Sequence, residues 1–447
     1  MSRYLAVFYF VILCSHAAGA ESYRLSLKDA IGMAVEKNNT VRAAGFVADG
    51  ARHGMAIVHS RYYPEISFEE SLNVSNSPTR TFMMKLDQGR FTQNDFLISN
   101  LNNPGTQHDF RTALTARLPI FDPSISPARD IAVRESKIQD TRYDGSKQET
   151  AFRVFKLYLD VQKAQARLLA SEQAIGEARE SLRLAGVRNK VGVGLRSDEL
   201  RARTHLSLNE QQLISARNNL TISRMELASV VGLRESDSIE ISESKIELLP
   251  LSQTADELVA LSRENRNELK QSQAELEKAD ATVRLARSSY LPSVGGFATY
   301  QLNSRDTPFR ADNDAWNAGV ALTWQLFDGF KRYHERDRAV ALRSAATEMH
   351  EHARREAGLR VKESHLRSEE MGLRLVVAQN TLKDAEETVR LLTRRFENSL
   401  ATMVELLDAQ TALNQTRADL VDSETHVTLA RGYVLFTAGT FLKEITK

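Results

Sequence analysis

The sequence predicts a mostly α-helical fold with a membrane β-barrel portion and an internal two-fold repeat. Helical periodicity with few breakers extends over runs of up to about 65 residues. The helical pattern changes to a strand pattern at two matched prolines, Pro64 and Pro292, and proline can both end a helix and open an extended segment. Each proline is followed by two strand-like segments of 11 to 14 residues.

The first twenty residues have the pattern of a secretory signal peptide. One basic residue precedes an apolar run at 5–14, and residues 18–20 form the small-x-small cleavage site Ala-Gly-Ala. The apolar run is only about half as long as a membrane anchor requires. A leucine before Cys14 argues against a lipoprotein signal. Cleavage after Ala20 would remove the single cysteine, which excludes disulfides, thiol nucleophiles and cysteine metal sites.

Charge and hydropathy exclude further classes. Without Arg3 the chain has 58 basic and 58 acidic residues, so nothing points to a nucleic-acid partner. A transmembrane helix needs about 18 or more apolar residues, and the longest later candidate, at 433–442, has about ten. If the chain enters a membrane, it must therefore do so as strands.

Two short helical segments open the chain. Residues 25–39 predict an amphipathic helix with one apolar stripe, and residues 40–62 continue helically. The stripe consists of Leu27, Ala30, Ile31 and Ala34.

Long helices follow at 126–190, 197–233, 267–290, 331–396 and 402–440. A helix over 126–190 would be about 100 Å long. Such a length indicates a coiled coil, a repeat or a spanning bundle rather than an ordinary globular domain.

Constant offsets between matching residues predict an internal duplication. Glu36, Asn39, Ser60, Tyr62 and Pro64 each recur 228 positions later, whereas Phe121-Asp122 and Glu199-Leu200 recur 206 positions later. The difference of 22 residues is assigned to the loop at 76–109, between the two strands of the first pair. The predicted repeats are 21–237 and 254–447, joined by an extended crossover linker at 238–253.

The predicted strand pairs are 65–75 with 109–121, and 293–304 with 314–327. Their lengths suit strands that cross an outer membrane, but four strands cannot close a barrel, since the smallest membrane barrels have 8. Open sheet edges are not tolerated in lipid, so several copies of the chain must contribute strands. Alternation is weak, however, and a small soluble sheet capping a helical bundle remains an alternative. The pattern sets Ala113, Thr115 and Arg117 against Leu114, Ala116 and Leu118.

Several motifs in this order resemble the TolC family of outer-membrane efflux ducts. They are "SLKDAIGMAVEKNN", the paired "RYYP" and "SYLP" junctions, the strand exits "LPIFDP" and "WQLFDG", and the closing "LATMVELLDAQTALNQTRADLV". The resemblance covers essentially the whole mature chain. It implies a homotrimer with four strands per subunit in one 12-stranded barrel, and long helical hairpins that form a periplasmic tunnel.

The resemblance also implies a location and partners. The chain would lie in the outer membrane of a Gram-negative bacterium, in contact with its lipid. A periplasmic adaptor (membrane fusion) protein would dock on the helical tip near 190–200 and 397–408, and an inner-membrane transporter of proton-driven or ABC type would supply energy. The duct itself would be passive and would export small toxic molecules or proteins.

Within that family, Pro64 and Pro292 would be the helix-to-barrel junctions. Five aromatic residues would then lie near the inner membrane interface, where amphipathic rings are favoured. The alternative is that they only pack the joint between helix and strand. These residues are Tyr62, Tyr63, Tyr290, Trp324 and Phe327.

Carboxylates beside the helical turns are the candidate gate. Glu405 and Asp408 lie three residues apart on one helix face, and Glu199 occupies the matching place in the first half. The resemblance implies a ring of these acids at the periplasmic mouth, although Glu405 could equally be an ordinary acid at a helix start. Candidate latch partners are Arg196, Arg201, Arg394 and Arg395. Ser399-Leu400 stands where many relatives have a glycine in the turn.

The sequence contains little that indicates a catalytic or cofactor-binding site. The histidines of "HEH" at 350–352 point to different helix faces, and "GVG" at 192–194 lacks the context of a phosphate loop. We therefore expect neither an enzyme nor a cofactor. A secreted periplasmic coiled-coil scaffold without a pore is the alternative function. A degradative periplasmic enzyme would lack any nucleophile or metal constellation.

Overall fold

The computed structural model describes residues 22–246, 248, 250–311 and 313–445. The predicted signal peptide and Cys14 lie outside the described residues. The α-helices are α1 Leu27–Lys37, α2 Asn39–His59, α3 Pro78–Asp87, α4 Ile98–Asn102, α5 Ile125–Lys190, α6 Arg196–Val231, α7 Ala255–Asn265, α8 Asn267–Ser288, α9 Lys331–Glu397, α10 Met403–Thr437 and α11 Phe441–Ile445. The strands are β1 Ser22–Leu25, β2 Glu65–Ser75, β3 Gln107–Phe121, β4 Ser238–Ile241, β5 Ser293–Ser304 and β6 Asp314–Thr323.

The predicted long helices are confirmed to within a few residues at each end. Helices α5 and α9 contain 66 and 67 residues, so each is about 100 Å long at a rise of 1.5 Å per residue. Helix α1 buries the predicted apolar stripe of four residues. It begins at Leu27 rather than residue 25, because the Ser26 side chain accepts a hydrogen bond from the Asp29 amide as an N-cap.

One compact unit comprises the chain up to Ala44, Tyr143–Asn267 and the chain from Arg354 onward. Its largest core cluster surrounds Phe155 and Tyr158, both fully buried. The Tyr158 hydroxyl donates to the Leu25 carbonyl at 3.2 Å, which satisfies its polar end. Strands β1 and β4 pair in parallel beside this cluster. Part of the predicted crossover linker is therefore a strand, because Ile239 and Ile241 alternate into the core.

The other unit comprises Gly45–Arg142 and Glu268–Ala353. Its centre is an antiparallel sheet in the order β2-β3-β5-β6, so strands from both predicted repeats meet at the β3–β5 pair. The compact units each combine segments of both halves and are not the predicted repeats. The duplication itself stays a prediction.

The strand predictions need two corrections. Strand β3 begins at Gln107 rather than residue 109, because Gln107 and His108 pair with the last residues of β2. Strand β6 ends at Thr323 rather than Phe327. Thr323 pairs with Ser293, the first residue of β5, and the preceding Pro292 has no amide to continue the ladder.

No helix in the described part of the chain is long and apolar enough to cross a membrane.

Candidate functional site

The four-stranded sheet has one apolar face. Residues that oppose one another across the ladders point to the same face, so the register assigns each side chain. Most large side chains of this face are exposed, and an exposed apolar patch of this kind marks an interaction or membrane surface. The apolar members of this face include Ile66, Phe68, Leu72, Leu114, Ala116, Leu118, Ala298, Tyr300, Trp316, Ala318, Val320 and Leu322. Its polar members lie at the end of the sheet away from Pro64 and are Glu70, His108, Thr112, Ser304 and Asp314.

The opposite face is polar. Glu65 opposes Arg117, and the Arg111 guanidinium donates to Gln301 Oε1 at 3.0 and 3.2 Å. Phe297 is an apolar exception and lies against Gly319, where a Cβ would meet its ring at 2.9 Å. The remaining polar side chains of this face include Ser67, Glu69, Ser71, Asn73, Asp109, Thr115, Thr299, Asn303 and Asn317.

The two prolines lie where the sequence predicted a change of structure. Pro64 directly precedes β2 after a 3-10 helix at Ser60–Tyr62, and Pro292 directly precedes β5 shortly after α8. Both therefore stand at a change from helix to strand. Their role as junctions with a barrel stays a prediction.

The five predicted interface aromatics are all exposed at this end of the sheet. Trp324 donates from its indole nitrogen to the Tyr290 carbonyl at 3.1 Å, and the Arg332 guanidinium lies 5.2 Å from the Tyr290 ring centre. These contacts belong to the joint, yet 54% of Trp324 stays exposed. Packing of the joint therefore does not account for the whole aromatic surface.

A second aromatic row, which the sequence prediction missed, lies nearer the other end. Phe68, Tyr300 and Trp316 line up with Leu114 across the ladders on the apolar face. Trp316 and Trp324 are eight residues apart, which corresponds to about 27 Å along an extended strand. For a strand tilted as in membrane barrels, the two side chains would differ by about 20 Å in depth along the membrane normal. Only the register between strands brings this row together, so single-strand patterns could not reveal it.

In the other unit, the α5–α6 turn packs against the α9–α10 turn. Their shared apolar cluster is buried and includes side chains from all four helices. Its members are Ala185, Ala202, Phe396, Met403, Leu406 and Leu407. The structure thus brings Glu199 and Glu405 to neighbouring turns.

Glu405 forms a capping box at the start of α10. Its carboxylate accepts hydrogen bonds from the Thr402 amide at 2.7 Å and hydroxyl at 2.8 Å, while the Glu405 amide donates to Thr402 Oγ1. These bonds to Thr402, and then the positive charge of Arg395, hold the Glu405 pKa below its usual range. The helix-start role that the sequence left open is therefore present.

The other two candidate acids differ in their surroundings. Glu199 accepts from Asn189 Nδ2 at 2.8 Å and pairs with Arg203 at 3.0 Å. Asp408 is exposed and lines a cleft of about 360 Å³ together with Arg201 and His205. Each acid sits on the first turns of α6 or α10, but their gate role is untested.

Arg188 holds the two turns together, and the sequence prediction missed it. Its guanidinium donates to the carbonyls of Phe396 and Glu397 and to Ser399 Oγ, at 2.9, 3.3 and 2.8 Å. It also lies 4.9 Å from the Phe396 ring centre. Ser399 has φ 62°, a left-handed conformation that glycine adopts at lower cost.

The four arginines predicted as latch partners do not make this contact. Arg395 donates to the Leu400 carbonyl inside its own turn, and Arg201 lines the cleft with Asp408. Arg196 and Arg394 have no hydrogen bond to the three candidate acids among the described contacts. The acceptors of Arg188 are mainly backbone carbonyls of a segment more than 200 residues away. Every residue has such a carbonyl, so the residue types in the sequence could not identify this contact.

The predicted turn at 192–194 is confirmed, since Gly192 has φ 80°. His350 contacts the Ser272 hydroxyl at 2.9 Å. Within the described ranges no group of three or more His, Cys, Asp or Glu residues could hold a metal ion.

A sheet with a largely apolar and a polar face, in a chain that also contains two helices of about 100 Å, indicates a membrane protein with an extended helical portion. The family model described as "Outer membrane efflux protein" matches residues 30–233 and 258–434. The chain belongs to this family. It is a channel protein of the outer membrane and not an enzyme, which confirms the resemblance found in the sequence.

Individual relatives are distant in sequence. The chain is 20% identical over 323 residues to the proteases secretion protein PrtF of Dickeya chrysanthemi, covering 70% of this chain and 66% of PrtF. It is 24% identical over 319 residues to the outer membrane protein TolC of Vibrio cholerae, covering 68% and 72%. The match to PrtF thus spans just under two thirds of that relative. A crystal structure of CusC superposes with a TM-score of 0.78 at 17% identity, over 95% of both chains.

Proposed function

We propose that the chain is the passive outer-membrane exit duct of an efflux or type I secretion system. The segregation of apolar and polar side chains on the two faces of the sheet carries this proposal. An apolar face suits lipid, and a polar face suits a water-filled lumen. A scaffold without a pore would have no use for either, and the comparisons give that alternative no support.

Three copies of the chain would close one 12-stranded barrel. Strands β2 and β6 are the edges of the sheet in a single chain. Unpaired edges are not tolerated in lipid, so each β6 must pair with the β2 of a neighbouring copy. Strand lengths of 10 to 15 residues fit a tilted crossing. The two aromatic rows would then mark the two membrane interfaces.

The long helices would continue as a periplasmic tunnel. On α9, Leu359, Leu366 and Leu373 recur at seven-residue spacing and are exposed in the single chain. A heptad stripe of this kind packs against another helix in a coiled coil. We infer that a neighbouring copy covers it. The predicted duplication, 21–237 and 254–447, would give each subunit two matching helical hairpins.

The paired turns would form the periplasmic mouth. Three copies of Glu405, Asp408 and Glu199 would surround it with carboxylates, which favours cations. Arg188 would hold the two turns of each subunit at a fixed distance.

Energy and cargo would come from partners. A periplasmic adaptor protein would dock on the helical tip, and an inner-membrane transporter of proton-driven or ABC type would drive export. The cargo would be small toxic molecules or proteins. The relative PrtF is named for the secretion of proteases, which favours proteins as one cargo class.

The test is the state of the protein in the outer membrane of its host. We expect a heat-resistant trimer in detergent extracts of that membrane, and ion-conducting channels when the trimer is added to planar bilayers. A soluble monomer in the periplasm would overturn the duct. Deletion of the gene with and without its neighbours would then separate efflux of toxic molecules from protein export.

A further inference from the structure

The connection between β2 and β3 is much longer than its counterpart in the second half. Residues 76–106 join β2 to β3, whereas residues 305–313 join β5 to β6. These connections contain 31 and 9 residues. Their difference of 22 equals the change in offset between the matching residues of the two halves. The whole length difference therefore lies in this one segment, which we call the insert.

The insert is folded rather than an open loop. It contains α3, a 3-10 helix at Gln93–Phe96 and α4. The rings of Phe82, Phe91 and Phe96 contact edge to face, with centres 4.6 and 4.9 Å apart. Lys85 pairs with Asp95 at 2.6 Å. The Lys85 ammonium, followed by the Thr92 amide, lowers the Asp95 pKa to about 2, so the Asp95 carboxylate stays ionised at any physiological pH.

A buried polar network fixes the insert to the sheet. Gln88, only 2% exposed, donates from Nε2 to the His108 carbonyl at 2.7 Å and to Asp109 Oδ1 at 2.9 Å. Asn303 donates to the other oxygen of Asp109 at 3.0 Å. The side-chain amide of Asn313 donates from Nδ2 to the backbone carbonyl of Gln88. Buried polar side chains that satisfy one another in this way specify one arrangement.

The network identifies the face on which the insert lies. Asp109 opposes Asn73, and Asn303 opposes Arg111, so both belong to the polar face of the sheet. The insert follows the end of β2 that is farther from Pro64. Its α3 C-terminus therefore packs on the polar face at the end of the sheet away from the helix-to-strand prolines.

We propose that the insert narrows the external end of the duct and sets which solutes can leave or enter there. This inference rests on the proposed function, because it takes the polar face as the lumen wall. Three copies would place three folded inserts inside one barrel mouth. The described residues of the second, shorter connection, 305–311 and 313, form no helix, so we assign this constriction to the insert.

One side of α3 would line the passage. Thr81, Met84 and Gln88 are buried toward the sheet. Arg80, Met83 and Asp87 recur at helical spacing about 100° around the helix from these residues and are exposed. Each copy would thus present a cation, a thioether and a carboxylate to passing solutes.

A single-cysteine experiment tests this placement. The mature chain has no cysteine once the signal peptide is removed, so Met83→Cys introduces one unique thiol. A charged methanethiosulfonate reagent added from the external side of planar bilayers should cause a stepwise loss of current through M83C trimers. The matched control is Leu72→Cys on the apolar face at the same end of the sheet, whose current should not change.

A deletion provides the second measurement. Replacement of residues 78–104 by a short Gly-Ser linker should raise single-channel conductance and admit larger polyethylene glycols from the external side. Unchanged conductance and polymer exclusion, with unmodified current in M83C, would overturn the inference. Failure of the unaltered protein to form any channel would instead overturn the proposed function.

Discussion

At the scale of single residues, the observed capping box and the proposed gate would pull the Glu405 pKa in opposite directions. Its bonds to Thr402 favour the carboxylate, whereas a ring of like charges from three copies would disfavour it. The first role belongs to one chain and the second to the assembly. A glutamine at this position separates them, because it can complete a capping box without a charge.

Glu405→Gln should destabilise the start of α10 at neutral pH and have no effect in acid. The folded pKa of Glu405 is lowered, so its stabilisation is present above the ordinary glutamate pKa. It is lost as the pH falls through the lowered value. Amide hydrogen exchange at residues 403–406, followed from neutral to acidic pH, measures the difference. Slower exchange in the variant at neutral pH would mean that repulsion between copies outweighs the capping bonds.

A second prediction concerns Arg188, whose hydrogen-bond acceptors are mainly backbone carbonyls rather than side chains. Arg188→Ala should cost about 1.5–3 kcal/mol locally, the range for hydrogen bonds to charged groups, and should speed hydrogen exchange at residues 397–402. Lysine should rescue only in part, because an ammonium lacks the planar fork of guanidinium. Arg183→Ala is the control, since Arg183 pairs with Glu180 on its own helix. Equal exchange in R188A and R183A would contradict a holding role.

At the scale of elements, the sequence predicted where strands begin better than which side chains from different strands or helices come together. Pro64 and Pro292 mark the starts of β2 and β5 because a missing amide and a restricted backbone act locally. The end of β6 depends on where its partner begins, and that information lies thirty residues away. The outer aromatic row and the Arg188 contact require register or distant chain segments. Neither is encoded in a local pattern.

The two faces of the sheet predict opposite tolerance to charge at adjacent residues. Ala116 lies on the apolar face and Thr115 on the polar face of β3. Ala116→Arg should cost about 2–4 kcal/mol if it lies near the membrane midplane, and should reduce the yield of trimer. Thr115→Arg should assemble nearly as well as the parent. Equal trimer yields from the two variants would contradict a membrane-facing sheet.

At the scale of the whole molecule, the two halves of the chain have matching residues at constant offsets but differ in the connection between their two sheet strands. Each half contributes two strands to the four-stranded sheet and contains two long helices. Only the first adds a folded segment of 31 residues on the polar face. If the proposed gate and the proposed insert both narrow the duct, the gate selects by charge and the insert by size. These selections depend on different residues and can be altered separately.

The mouth is tested by removing its charges while keeping at position 405 a side chain that can complete the capping box. Glu405→Gln combined with Asp408→Asn keeps the shape of both side chains while removing six negative charges from a trimer. The channel should lose cation preference and become less sensitive to block by divalent or trivalent ions, measured as reversal potential and current in planar bilayers. Trimer assembly should persist, because the substitutions relieve repulsion and create no cavity. The same double change at Glu363 and Glu370, exposed acids paired with Arg367 and Arg374 along α9, controls for net charge. If that control lowers selectivity as much as the mouth variant, selectivity arises along the tunnel, and Glu405 and Asp408 are no more than acids at a helix start.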